Sequence, residues 1–152
     1  MSLKTTIDQD LKAAMLGGDK VLATTLRGLK AAILNVEVAE GKRAEGLPDD
    51  AIITLFQKEV KKRQESADLF GQGGNTEKQA AELAEKEVIT KYLPAQLSED
   101  ELGIMIDEVI SLTGASGMQS MGQVIGAVKT KAGAAADGAV IARLVKEKLQ
   151  KQ

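Results

Sequence analysis

Leu22, Leu26, Leu29, Ile33 and Val36 recur at steps of four, three, four and three. This spacing lays one apolar stripe along an α-helix, whereas a strand with a buried face needs alternation at a period of two. Similar spacing runs through most of the 152 residues, and hairpin-bounded β-branched alternation is missing, so the chain is expected to be all-α. A first helix is predicted over about Leu3–Leu16, with Ile7, Leu11 and Ala14 or Met15 inward and Gly17-Gly18 stopping it. Asp19 suits the cap of the striped second helix, which Gly41 ends. Leu47-Pro48-Asp49-Asp50 opens a third, turning Ile52, Ile53, Phe56, Val60, Ala67 and Phe70 towards the core until the glycines at 71–74. Thr76 with Gln79 has capping-box spacing and predicts a fourth helix up to about Tyr92.

Pro94 biases Leu93 away from helix, and Ser98 with Glu101 forms another capping-box pattern directly afterwards. The predicted organisation is therefore a larger N-terminal helical domain, 1–95, followed by a small three-helix C-terminal domain, 96–152. Helices are expected there at about 99–112, 118–131 and 138–150, the last capped by Asp137. Gly122 and Gly126, four apart, suggest close helix approach, while Gly114 and Gly117 read as turn residues.

Composition removes much chemistry. With 43% hydrophobic residues the chain can build a real core. Yet it contains no His, Cys or Trp, and its aromatics are Phe56, Phe70 and Tyr92. A His-based triad, thiol catalysis, a nitrogen or sulfur zinc site and any disulfide are excluded, and an aromatic platform for stacking bases is disfavoured. Gly117–Gly122 lacks the Lys and Ser or Thr of a phosphate-binding loop, since Gln123-Val124 follow. Glu82, Glu85 and Glu87 show no metal-ligand pattern. No catalytic residue, metal ligand or cofactor is therefore predicted. The N-terminal residues lack the apolar run of a secretory signal, and no stretch of about 18 apolar residues could span a membrane. The expectation is a soluble, cytoplasmic chain without membrane partners.

The formal charge is −2, but the C-terminal part is polarised. Glu99, Asp100, Glu101, Asp107 and Glu108 precede Lys129, Lys131, Arg143, Lys146, Lys148 and Lys151. A basic end of this kind suits an anionic partner, although Lys and Arg near helix C-termini also complement the macrodipole without any ligand. Lys58 through Ser66 forms a second dense polar run, readable as a solvated face with pairs such as Glu59–Arg63. Arg27 and Arg63 could approach each other if the second and third helices pack antiparallel, forming a polar network with Glu37, Glu59 or Glu87.

Several segments resemble the GatB/YqeY family. Thr25-Leu26-Arg27-Gly28-Leu29-Lys30-Ala31-Ala32-Ile33, followed by Glu37-Val38, is similar to its LR-x-L-x-A-A-I…E-V segment. Lys61-Lys62-Arg63-Gln64-Glu65-Ser66 resembles its K-[KQ]-R-x-E-S segment. Glu87 leading to Tyr92-Leu93-Pro94 and Gln96-Leu97-Ser98 resembles its E…YLP-x-Q-L-S signature, and Met121-Gly122 with Asp137-Gly138 matches its C-terminal landmarks. The likeness runs over about residues 4–149 and identifies the chain as a stand-alone member. In GatB the related region is appended to a subunit of the tRNA-dependent amidotransferase and helps hold the tRNA body, with amide transfer performed elsewhere. The resemblance thus implies a tRNA-associated helical module, non-catalytic by itself. An adaptor for a tRNA-handling enzyme is the alternative, and an autonomous glutamine-dependent amidotransferase comes last. Phosphate contacts are expected from Lys129, Lys131, Arg143, Lys146 and Lys148. This chain departs from the family at Gln123, at Gly133-Ala134-Ala135-Ala136 and at Gly73-Gly74-Asn75, where the family often carries a cation.

Overall fold

The computed structural model describes residues 2–151. Among them are seven α-helices, two short 3-10 turns and no strand. The helices are α1 (Leu3–Leu16), α2 (Lys20–Ala39), α3 (Asp49–Gln72), α4 (Thr76–Thr90), α5 (Glu99–Thr113), α6 (Met121–Ala132) and α7 (Gly138–Gln150). Their contacts divide into two compact units, Met1–Leu93 and Pro94–Gln152.

In the first unit the caps are local chemistry. The Ser2 hydroxyl accepts from the Thr5 amide at 3.2 Å and starts α1. The Asp19 carboxylate accepts from the Leu22 amide at 3.1 Å and starts α2. Leu26, Leu29 and Ile33 of the α2 stripe are buried, against Ile7, Leu11 and Ala14 of α1. Leu47, Ile52, Phe56 and Ile89 complete this core. Ala14 takes the inward place at the end of α1, leaving Met15 55% exposed.

Three local expectations are corrected here. The cap of α4 is Asn75 rather than Thr76, because the Asn75 side-chain oxygen is the one that reaches the Lys78 amide, at 3.0 Å. Gln79 instead lies over Gly71, where an added Cβ would sit 2.4 Å from its amide nitrogen. The helix ends at Thr90, short of Tyr92. There the Tyr92 and Leu93 amides turn back onto the carbonyls three residues earlier, each at 3.0 Å, and Pro94 prevents continuation. Finally, the chief neighbour of α3 is α4 and not α2. The 24-residue α3 carries its C-terminal half, with buried Ala67, along α4 as an antiparallel hairpin. Gln64 accepts from Lys86 at 2.6 Å, and Lys78 lies 5.6 Å from the centre of the Phe70 ring.

One buried carboxylate ties the start of the chain to the loop before α3. Glu37, on α2, is 1% exposed. It accepts two bonds from Lys4 Nζ, at 3.0 and 2.9 Å, and one from the Leu47 amide at 3.0 Å. Gly46 has φ +79°, and an added Cβ would stand 3.3 Å from Glu37 Oε2, so both the turn and the close approach call for glycine. The Lys4 bond is the main cause that holds Glu37 below the ordinary carboxylate value. Burial opposes the shift, and the Leu47 amide and the Lys4 and Arg43 charges reinforce it.

The second unit packs Leu102, Ile106 and Val109 of α5 against Val124 and Val128 of α6 and Ile141, Val145 and Leu149 of α7. The Ser98–Glu101 capping box has both its bonds, at 3.1 and 3.3 Å. Asp137 caps α7 by accepting from the Ala139 amide at 2.7 Å. Gly114 and Gly117 both take positive φ at turns. The segment after Pro94 is fastened to the turn before α7: the Leu97 amide donates to Ala135 O at 2.8 Å, and Gln96 Nε2 to Ala134 O at 3.1 Å. Close helix approach at Gly122 and Gly126 does not occur. Both face open space, because α6 turns Val124 and Val128 inward and the glycines lie off that face.

Two outcomes test this account. Phe56→Ala is expected to cost about 3–5 kcal/mol in urea unfolding, because it empties a fully buried site. A carboxylate with a depressed folded pKa supports the fold above its unfolded value and loses that support as pH falls through the folded one. Glu37→Gln should therefore lower the urea midpoint most at about pH 7, and the difference from wild type should shrink only as the pH falls below the ordinary carboxylate range, through the depressed folded-state value.

Candidate functional site

The five cations proposed for phosphate contact all lie on α6 and α7, and α5 supplies the carboxylates that meet most of them. Lys131 pairs with Glu108 at 2.9 Å. Lys148 pairs with Asp107 at 3.0 Å, its stem lying near Gly103. Arg143 binds Glu99 and also Glu147, the latter at 3.3 Å. The Glu99 hydrogen bond is the first cause that raises its pKa above the ordinary guanidinium value. Lys129 and Lys146 are exposed and form no ion pair among the described residues. The Lys129 stem is laid over Gly138, the first residue of α7. The acidic and basic stretches that are separate in sequence thus fold onto each other. Three of the five candidate cations are partly neutralised, and two remain open.

The family-motif residues divide in another way. Arg63 does not join Arg27 or Glu59. It crosses to α4, where it meets Glu82 at 3.3 Å and Glu85 at 3.0 Å, two carboxylates whose purpose the sequence did not reveal. Its buried Nε has no hydrogen-bond partner. Glu59 pairs instead with Lys62, at 3.7 Å. Ser66 is half-buried, and Glu65 and Glu87 are exposed. The Tyr92 hydroxyl donates to Asp10 on α1 at 2.5 Å, and its ring stands edge-on to Phe56 with centroids 6.2 Å apart. Burial first, then the Asp10 bond and charge, pushes the phenol well above its ordinary value. Pro94 presents its carbonyl to Gln96 at 2.9 Å, Asp137 caps α7, and Gly122 lies exposed on α6.

Arg27 alone among the motif arginines has no internal task. It is exposed on α2, without an ion pair among the described residues, and borders a cleft of 440 Å³ between the end of α1 and the start of α2. Ala14 and Ala23 form its floor, with Met15, Thr24 and Lys20 around it. Ala14 and Asp19 also line a neighbouring cleft of 670 Å³ that extends to Asp10, Lys91 and Tyr92. Helical spacing alone had not brought this groove to notice, because it is formed where two helices meet at a Gly-Gly turn. Among the described residues no cluster of three or more His, Cys, Asp or Glu is disposed to hold a metal, and no helix is long and apolar enough to cross a membrane.

Tyr92 is the sole tyrosine of the chain, so absorbance at about 295 nm reports it directly. Its midpoint is expected above the ordinary value of about 10, and Asp10→Asn should bring it down. Tyr92→Phe should cost about 1–2 kcal/mol through the lost hydrogen bond to a carboxylate.

The chain is similar to proteins named Altered inheritance of mitochondria protein 41, mitochondrial. The relative from Eremothecium gossypii is 35% identical over 103 residues, covering 66% of this chain and 55% of that protein. Those from Lachancea thermotolerans and Saccharomyces cerevisiae are 32% identical over 109 residues and 29% over 125, covering 69% and 82% of this chain and 56% and 59% of theirs. The chain therefore spans a little over half the length of these relatives. Their names overturn the cytoplasmic expectation. That expectation rested on missing cysteine and missing apolar runs, and neither property distinguishes the cytoplasm from a mitochondrion. The family model described as Yqey-like protein matches residues 4–149, nearly the whole chain, and the chain belongs to that family.

Proposed function

We propose that this chain is a tRNA-associated binding module, non-catalytic by itself, that holds RNA through its phosphates with the cations of α6 and α7. The observation that carries this reading is the exposure of Lys129 and Lys146 without ionic partners among the described residues, beside three cations in exposed ion pairs. Exposed pairs contribute about 0–1 kcal/mol each, so a phosphate can compete for Lys131, Arg143 or Lys148. Arg143 has the further advantage of a planar fork that fits phosphate oxygens. The α5 carboxylates oppose the approach of RNA, which makes the grip modest and salt-sensitive. With three aromatics in the chain, recognition rests on backbone shape and charge rather than on base stacking.

The non-catalytic part of the proposal is supported by what the perturbed and buried polar groups do. Glu37, Arg63 and Tyr92 each join separate segments of the first unit. Glutamine-dependent amidation of misacylated tRNA by the purified chain with ATP is expected to be undetectable.

Binding to bulk tRNA across a salt series tests the reading. Two to five phosphate contacts predict a log–log slope of about −1.5 to −4. Lys146→Glu should flatten it by about one contact, and Arg143→Glu should weaken binding further. Undetectable binding at low salt would sink the proposal.

A further inference from the structure

The α1–α2 turn exposes apolar side chains that the core does not take up. Leu16 is 91% exposed, Val21 60% and Met15 55%. Met15 lines the cleft floored by Ala14 and Ala23, and Leu16 and Val21 are the chain neighbours of its lining residues Met15 and Lys20. Lys20 and Arg27 on α2 line the cleft, and Lys12 lies one turn before Leu16 on α1; all three are exposed and none is in an ion pair among the described residues. Of the nearby acids, Asp19, which caps α2, lines this cleft, and Asp10, which holds Tyr92, lines the neighbouring one. That neighbouring cleft shares Ala14 and Asp19 with it and reaches Lys91. An apolar floor rimmed by Lys20 and Arg27, against the one lining acid Asp19, suits an acidic amphipathic helix.

We propose that the groove between α1 and α2 docks an amphipathic helix of another protein, its apolar row entering beside Met15 and its Asp or Glu side chains meeting Lys20 and Arg27. The site lies wholly in the N-terminal unit and does not depend on the RNA reading. The concavity favours a peptide over a lipid surface, because a flat bilayer would meet the protruding Leu16 and leave the floor at Ala14 and Ala23 empty. Arg27 then has an outward role that accounts for its having no ion-pair partner among the described residues.

The test uses a synthetic helical peptide of about 15 residues with a Leu and Phe row flanked by Glu, a counterpart with Lys for Glu, and vesicles of phosphatidylcholine with phosphatidylserine. The expected result is binding of the Glu peptide about tenfold tighter than the Lys peptide, with NMR shift changes centred on Met15, Lys20, Ala23 and Arg27. Arg27→Glu should lower that affinity about tenfold and Leu16→Ser to a lesser degree. Both positions are exposed, and circular dichroism checks that the variants keep their helices. Lys146→Glu, in the other unit, should leave peptide binding unchanged, so failure here and failure of tRNA binding are read separately. Equal binding of the two peptides, binding insensitive to Arg27→Glu, or none at about 1 mM would overturn the proposal. Vesicle binding without peptide binding would overturn it too, assigning the surface to lipid.

Discussion

Burial of the Leu26, Leu29 and Ile33 row of α2 is the interaction on which the N-terminal unit depends. Side chains of this kind contribute about 1.5–3 kcal/mol each when fully buried. The row can be covered only if α1 folds back at Gly17-Gly18 and the chain beyond Leu47 returns across it. Glu37 lies one turn beyond Ile33 on the same helix and inherits its burial. A carboxylate there needs partners, and Lys4 with the Leu47 amide supplies them. The apolar row therefore dictates where the polar node must form, and the node in turn fixes the start of α1 and the entrance to α3.

Charge follows the same logic in the C-terminal unit. Packing α5 against α6 and α7 through Ile106, Val128 and Val145 brings their flanks together. Glu108, Asp107 and Glu99 then find Lys131, Lys148 and Arg143. The basic end seen along the chain is consequently a mixed surface in space. Binding of an anion there has to compete with neighbouring carboxylates, whereas Arg27, Lys20 and Lys12 on the other unit are in no ion pair among the described residues.

Much of this was legible before the fold was known. Gly17-Gly18, Asp19, Pro48, the Ser98–Glu101 box and Asp137 all act as their chemistry requires, because caps and breaks are decided within a turn of helix. Local rules were misleading where two side chains competed for one task. Asn75 is closer to the α4 amides than the Thr76 pattern allowed, and Arg63 left its own helix for the paired carboxylates of Glu82 and Glu85. Within the segments that carry the family resemblance, Arg63, Glu37, Tyr92 and Asp137 make contacts that hold helices in place.

By itself, the sequence determined the all-α class, the helix boundaries to within a few residues, most of the buried apolar rows though not Ile53 and Phe70 of α3, and the absence of His, Cys and Trp. These follow from periodicity, capping and composition, which act over a few residues or none. Only the tertiary structure decided which cations keep their charge free, which carboxylate is buried, and that α1 and α2 open a groove beside Arg27. Those properties depend on pairs as distant as Asp10 with Tyr92 or Glu99 with Arg143. No spacing rule along the chain specifies such pairs, because they form only when separate helices bury their apolar faces against one another.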